Sequence, residues 1–131
     1  MSPEDYARLD ATVLAGLMAA GEVSRAEVLH AARQRIAAFN LTVNAVVDVY
    51  DEPVEDERAQ GVFAGVPFLL KDIGAGIAGK RTSCASRAFE SAPVQSHDDE
   101  LTVRFRKAGL RILGKTNLPE LGFNVTSEPV L

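Results

Sequence analysis

The sequence has a single cysteine, Cys84, in 131 residues. That excludes an internal disulfide and any multi-cysteine zinc site. No apolar run approaches the roughly 18 residues of a spanning helix, so no membrane partner is expected. The net charge of -4 gives no electrostatic reason for nucleic-acid binding, which calls for clustered Lys and Arg. Glu4 and Asp5 stand where a signal peptide would be basic, and a cytoplasmic location is expected. The triplets Asn40-Leu41-Thr42 and Asn124-Val125-Thr126 are then coincidental matches to a glycosylation signal. Internal repeats and low-complexity segments are absent.

What is present is the balance of a soluble globular chain, 47% apolar and 24% charged, long enough for one core. Asp10 is placed to cap a helix running to about Ala20, with Leu14, Leu17 and Met18 on one stripe and Gly21 as its stop. Ser24 and Glu27 form a capping-box pattern for a second helix, in which Leu29, Ala32, Ile36 and Phe39 share a face. The two helices are expected to form an antiparallel hairpin over residues 10–40, a structural element in which His30 has no chemical role.

Residues 44–50 are rich in Val and predict a strand. Residues 51–57 are acidic and contain Pro53. They predict a solvated connection with one helical turn before Gly61, and water rather than a metal ion for the carboxylates. Val66 to Leu70 predict a strand covered on both faces. Gly74, Gly76 and Gly79 mark a long irregular loop ending at Ser86. Ser96 or Asp98 then caps a helix with Leu101, Phe105 and Ala108 inward, Gly109 ends it, and Leu110 to Leu113 form another strand. Asn117 and Glu120 suggest a further capping box, opening a short helix through Phe123. Helix, glycine and apolar strand in succession point to an α/β layer fold over residues 44–131.

Residues 109–116 spell a phosphate-binding loop letter for letter. The physics opposes it. A phosphate cradle needs converging N–H groups in a loop that follows a strand. Here Leu110, Arg111, Ile112 and Leu113 favour a strand, and the preceding element is a helix. Nucleotide binding is therefore not expected, nor is any other cofactor or a metal.

Lys71 closes an apolar strand, and ligand sites in α/β sheets lie at the carboxyl ends of strands. Two readings are open from position alone. Withdrawn from water, a lysine is biased toward its neutral form and can accept a proton from a serine hydroxyl. At a strand end, it can equally extend its ammonium into solvent, and position alone favours this second reading. Asp72 is not its ion-pair partner, because successive strand side chains point to opposite faces.

The segment Phe63-Ala64-Gly65-Val66-Pro67-Phe68-Leu69-Leu70-Lys71-Asp72 resembles the part of amidase-signature enzymes that ends in their catalytic lysine. Residues 101–122, with Gly114-Lys115-Thr116-Asn117-Leu118-Pro119-Glu120, resemble the helix, strand and Gly-Lys-Thr-Asn-x-Pro-Glu segment of the same family. The N-terminal hairpin and Asn44-Ala45-Val46 stand in the family's order, so the resemblance runs from about Asp10 onward. It implies the N-terminal part of the amidase-signature fold, a mixed sheet flanked by helices and preceded by a helical hairpin. Residues 1–131 would then be a truncated piece of one domain.

The implied reaction is hydrolysis of a carboxylic amide by a serine, a second serine in a cis peptide, and a lysine, without metal or cofactor. Only the lysine transfers, to Lys71. The family's serines belong to a glycine- and serine-rich stretch after Thr126–Pro129, and no serine here has a Gly-Ser-Ser-Gly context. The chain alone is therefore expected to be inactive. Ser83 and Cys84 fall in a loop that resembles one near the family's substrate, and they are the candidate substrate contacts. Cys84-Ala85 departs from the family's glycine-containing pattern there. The expected partner is a small-molecule amide, in the complete enzyme. Self-association, a split enzyme completed by a second chain, and a non-catalytic interaction module on the same scaffold are the alternatives.

Overall fold

A computed structural model describes residues 1–130 except Glu57 and Ala59. The chain opens on a helical turn that the sequence did not announce, α1 (Pro3–Tyr6), with Ser2 as N-cap. Helix α2 (Ala11–Ala19) follows, capped by Asp10, whose side chain accepts from Val13 N–H at 2.9 Å. Helix α3 (Arg25–Val43) carries the expected capping box. Ser24 Oγ accepts from Glu27 N–H, and the Glu27 carboxylate accepts from Ser24 N–H. It runs three residues beyond position 40 and stops at Asn44, which takes the left-handed conformation (φ 46°).

Asn40 ties this end of α3 to the sheet, its side-chain amide exchanging hydrogen bonds of 2.7 and 2.8 Å with the backbone of Val46. On α3 the buried side chains are Val28, Ala31 and Ala32. Of the expected stripe Ala32 is buried, Leu29 and Ile36 are half-buried, and Phe39 stays 48% exposed.

Strand β1 (Val46–Val54) is longer than predicted and absorbs most of the acidic stretch, including Pro53. It is an edge strand with an irregular register between Val49 and Val54, the setting in which a proline is tolerated. Glu55, just past it, is not a solvated loop acid but pairs with Arg111 at 2.8 Å. The helical turn expected before Gly61 falls partly on Glu57 and Ala59, outside the described residues.

Strands β2 (Pro67–Lys71) and β3 (Arg111–Thr116) complete a mixed sheet of order β1-β3-β2, antiparallel between β1 and β3 and parallel between β2 and β3. The central β3 is buried from Ile112 through Lys115. Edge strand β2 is less covered than expected, with Phe68 and Leu69 half-buried and only Leu70 fully inside.

Helix α4 (Glu100–Lys107) begins after Asp99, not after Ser96 or Asp98. Both aspartates turn instead to the glycine loop, where Asp99 accepts from Gly76 N–H at 2.6 Å and Asp98 from Ala78 N–H at 2.8 Å. Thr102 is the buried residue of α4, while Leu101 is 45% exposed. Phe105 packs on Phe68 with ring centroids 4.8 Å apart. This pair joins two apolar clusters. One, around Leu14, Val28, Val66 and Leu110, carries the helices; the other, around Tyr50, Leu70, Ile77 and Ile112, carries the sheet. The expected capping box at Asn117 is absent. A 3-10 turn over Glu120–Gly122 starts after Pro119, Asn117 bonds the Asn44 carbonyl, and Glu120 accepts from Ser86 Oγ.

Candidate active site

The carboxyl ends of the parallel strands β2 and β3 bring together Lys71, Asp72, Lys115, Thr116 and the loop 81–86. Alternation along β2 sends Lys71 and Asp72 to opposite faces, as expected. Lys71 lies beside Thr116 in the ladder and is exposed, with no hydrogen-bond or ion-pair partner among the described residues. It borders an apolar recess of about 360 Å³ walled by Phe68, Leu69, Ile73, Leu101 and Phe105. The desolvation that a general-base role requires is not supplied by these residues.

Asp72 is buried and meets Lys115, itself 1% exposed. Lys115 Nζ donates to Asp72 Oδ1 at 2.8 Å, to the Arg81 carbonyl at 2.6 Å and to Thr82 Oγ1 at 2.8 Å. An ammonium has three donors, so all are matched. The other carboxylate oxygen of Asp72 accepts from Ser83 N–H at 3.0 Å and from Ser83 Oγ at 2.5 Å. Burying one charge alone is prohibitive, so the two are found together and fully hydrogen-bonded.

This arrangement removes the phosphate loop altogether. Gly114 and Lys115 are strand residues, and a Cβ on Gly114 would lie 1.9 Å from the Asp48 carbonyl oxygen. That glycine is required by the close approach of β1, not by an anion.

Sequence reasoning missed the Asp72–Lys115 pair. The expected strand ended at Leu113, short of Lys115, which the structure places inside β3 (Arg111–Thr116) and therefore next to the acid that follows β2.

Ser83 has its hydroxyl proton directed at Asp72, and its Oγ accepts from Ala85 N–H at 3.2 Å. Burial and the nearby Asp72 carboxylate push the Cys84 thiol above its ordinary pKa, against a smaller opposing effect of Lys115, which leaves it a poor nucleophile at neutral pH. On the β1 side of this loop a cavity of about 530 Å³ is lined by Asn44, Asp48, Arg81, Ser83, Ala85 and Asn117 among others. Among the described residues no group of three His, Cys, Asp or Glu side chains could hold a metal ion, and no helix is long and apolar enough to cross a membrane.

A mixed sheet accompanied by helices is the arrangement that the resemblance implied. The chain belongs to the amidase family, whose profile matches residues 23–131. It is 44% identical over 123 residues to the 6-aminohexanoate-cyclic-dimer hydrolase of Paenarthrobacter ureafaciens, covering 92% of this chain and 25% of that protein. It is 37% identical over 135 residues to one component of the glutamyl-tRNA(Gln) amidotransferase of Mycobacteroides abscessus, covering 95% of this chain and 27% of that protein. The solved structure of 6-aminohexanoate cyclic dimer hydrolase matches with a TM-score of 0.83 at 40% identity, over 93% of this chain and 26% of that one. The chain thus spans about a quarter of the length of the relatives it matches.

Proposed function

We propose that the chain is the lysine-bearing N-terminal part of an amidase-signature hydrolase, forming a single domain with residues that lie outside it. In the complete enzyme a serine hydroxyl adds to the amide carbonyl, and its proton passes through the cis-peptide serine to the neutral amine of Lys71. The tetrahedral adduct expels the amine, which takes up a proton, and water then releases the acid from the acyl-serine. The net reaction is amide plus water to carboxylic acid plus amine, with no metal or cofactor. The substrate is a small-molecule amide, this segment contacts no nucleic acid, and the working compartment is the cytoplasm.

One observation carries the reading. Lys71 ends its strand with an ammonium that no described residue engages, whereas the neighbouring lysine, Lys115, is fully bonded within the fold. A base has to be free for its reaction partner, and of the two lysines at this end of the sheet Lys71 is the one that no described residue engages.

On this reading the chain alone hydrolyses no amide above background, since a base without a nucleophile attacks nothing. The serines come from a continuation of the same chain or from a second chain. One relative, the amidotransferase component, is by its name part of a multi-subunit enzyme, and that keeps the second source in view. The test extends the chain in frame, or mixes it with a chain supplying the glycine-serine stretch, and follows release of an aryl amine. Lys71→Ala and Lys71→Arg should each lower the rate by about 100-fold or more, because arginine keeps the charge but stays protonated. An active Lys71→Arg enzyme would overturn the assignment.

A further inference from the structure

The loop 82–86 has a backbone that its residues do not favour. Cys84 and Ala85 are successive non-glycine residues in the left-handed region, with φ of 53° and 52°. Such residues persist where their surroundings over-determine them. Here the surroundings converge on Asp72. Its N–H donates to the Thr116 carbonyl at 3.3 Å, and its own carbonyl accepts from Cys84 N–H at 3.2 Å. One carboxylate oxygen holds Lys115 and the other holds both polar groups of Ser83. Lys115 in turn holds the two residues before Ser83. At its far side the loop is fastened again, by Leu121 N–H on the Cys84 carbonyl at 2.9 Å and by Ser86 Oγ on Glu120 at 2.6 Å.

We infer that Asp72, Lys115 and Ser83 are positioning residues that lock the Thr82–Ser86 loop into its strained form, as a preformed rigid wall of the cavity between the loop and the start of β1. Ser83 then acts through Asp72 and not by touching a ligand. Its hydroxyl is the link that transmits the buried ion pair to the loop. The wall needs no ordering when a ligand arrives, which is where pre-organisation helps binding. This inference goes beyond the assignment of Lys71 and does not depend on it.

The test uses the chain itself and needs no activity. Amide hydrogen exchange, read by NMR, compares Ser83, Cys84 and Leu121 with Ile112 and Leu113 in β3. In Ser83→Ala, which leaves both charges paired, the loop amides should exchange about tenfold faster or more while the β3 amides keep their protection. Ser83→Thr, which retains the hydroxyl, should restore slow exchange. The charge-free double variant Asp72→Asn/Lys115→Met should also free the loop. If that variant does not fold, Ser83→Ala decides alone. Loop amides unprotected in the parent, loop exchange within about twofold of the parent in Ser83→Ala, or loop and β3 amides accelerating together would each overturn the inference.

Discussion

Lys115 Nζ lies 2.8 Å from Asp72 Oδ1, with both side chains withdrawn from solvent, while Lys71, next to Asp72 in sequence, faces away from the pair. One acid therefore separates two lysines into two kinds. Removing one member should be far worse than removing both. Lys115→Met leaves a buried carboxylate uncompensated and should cost about 3–5 kcal/mol, whereas Asp72→Asn/Lys115→Met should cost less than Lys115→Met alone. Urea unfolding of the parent, Lys115→Met, Asp72→Asn and the double variant measures this. A double variant as unstable as the sum of the singles would mean that the pair is not coupled.

Two glycines should respond with opposite signs. Gly114→Ala puts a methyl group onto the Asp48 carbonyl in the middle of the sheet and should destabilise by about 2–3 kcal/mol or more. Gly16, inside α2, has nothing within 4 Å of an added Cβ, so Gly16→Ala should stabilise by about 0.5–1 kcal/mol. Thermal midpoints of the two variants decide the matter, and equal shifts in one direction would contradict the packing described.

The Cys84 thiol should react slowly at neutral pH. Burial raises its pKa, and Asp72 adds to the rise. The rate of alkylation by iodoacetamide should therefore climb at higher pH than for an unperturbed cysteine, which titrates near about 8.5. Asp72→Asn removes the repelling charge and should move that climb downward. A profile matching that of free cysteine in the folded parent would refute this.

Acid should loosen the glycine loop through Asp98. Its desolvation raises the pKa, but Ala78 N–H and Arg106 outweigh that and hold the carboxyl below its ordinary value. A group depressed on folding contributes stability that is fully present above its unfolded pKa, about 3.9, and lost as pH falls through the folded value. Asp98→Asn should flatten that part of the stability-against-pH curve measured by denaturation between about pH 5 and roughly 2. An unchanged acid limb would show that Asp98 is not responsible.

Local chemistry told more from sequence than partnership did. The caps at Asp10 and Ser24 were readable because each is fixed by residues three apart on one helix. The strand after Gly109, expected over Leu110–Leu113 and found over Arg111–Thr116, followed from side chains that favour extended backbone, and with it the rejection of a phosphate loop. The ends of elements were harder. Strand β1 runs on through Asp51, Glu52 and Pro53 because it is an edge strand with an irregular register, a property of its neighbour and not of its residues. Ser96 or Asp98 read as the helix cap, but the helix starts one residue later, after Asp99, and the Asp98 carboxylate is drawn off by the N–H of Ala78 twenty residues earlier. At the candidate site, Lys71 was visible through its motif. The tie of Asp72 to Lys115 was not, since a contact spanning 43 positions leaves no periodic trace.

The strand order β1-β3-β2 has a consequence for how the chain is made. The first two strands to leave the ribosome do not pair with each other, and both wait for the third. Until Thr116 has emerged no ladder can close, and Asp72 has no counter-ion. The nascent chain must therefore carry Val46–Val54 and Pro67–Lys71 as unpaired extended segments for more than forty residues of further synthesis. Such segments are the kind that seek wrong partners during translation. The early helices, complete by Val43, can form their own turns in that interval, but the cluster that holds Leu14 and Val28 closes only when Val66 and Leu110 have followed.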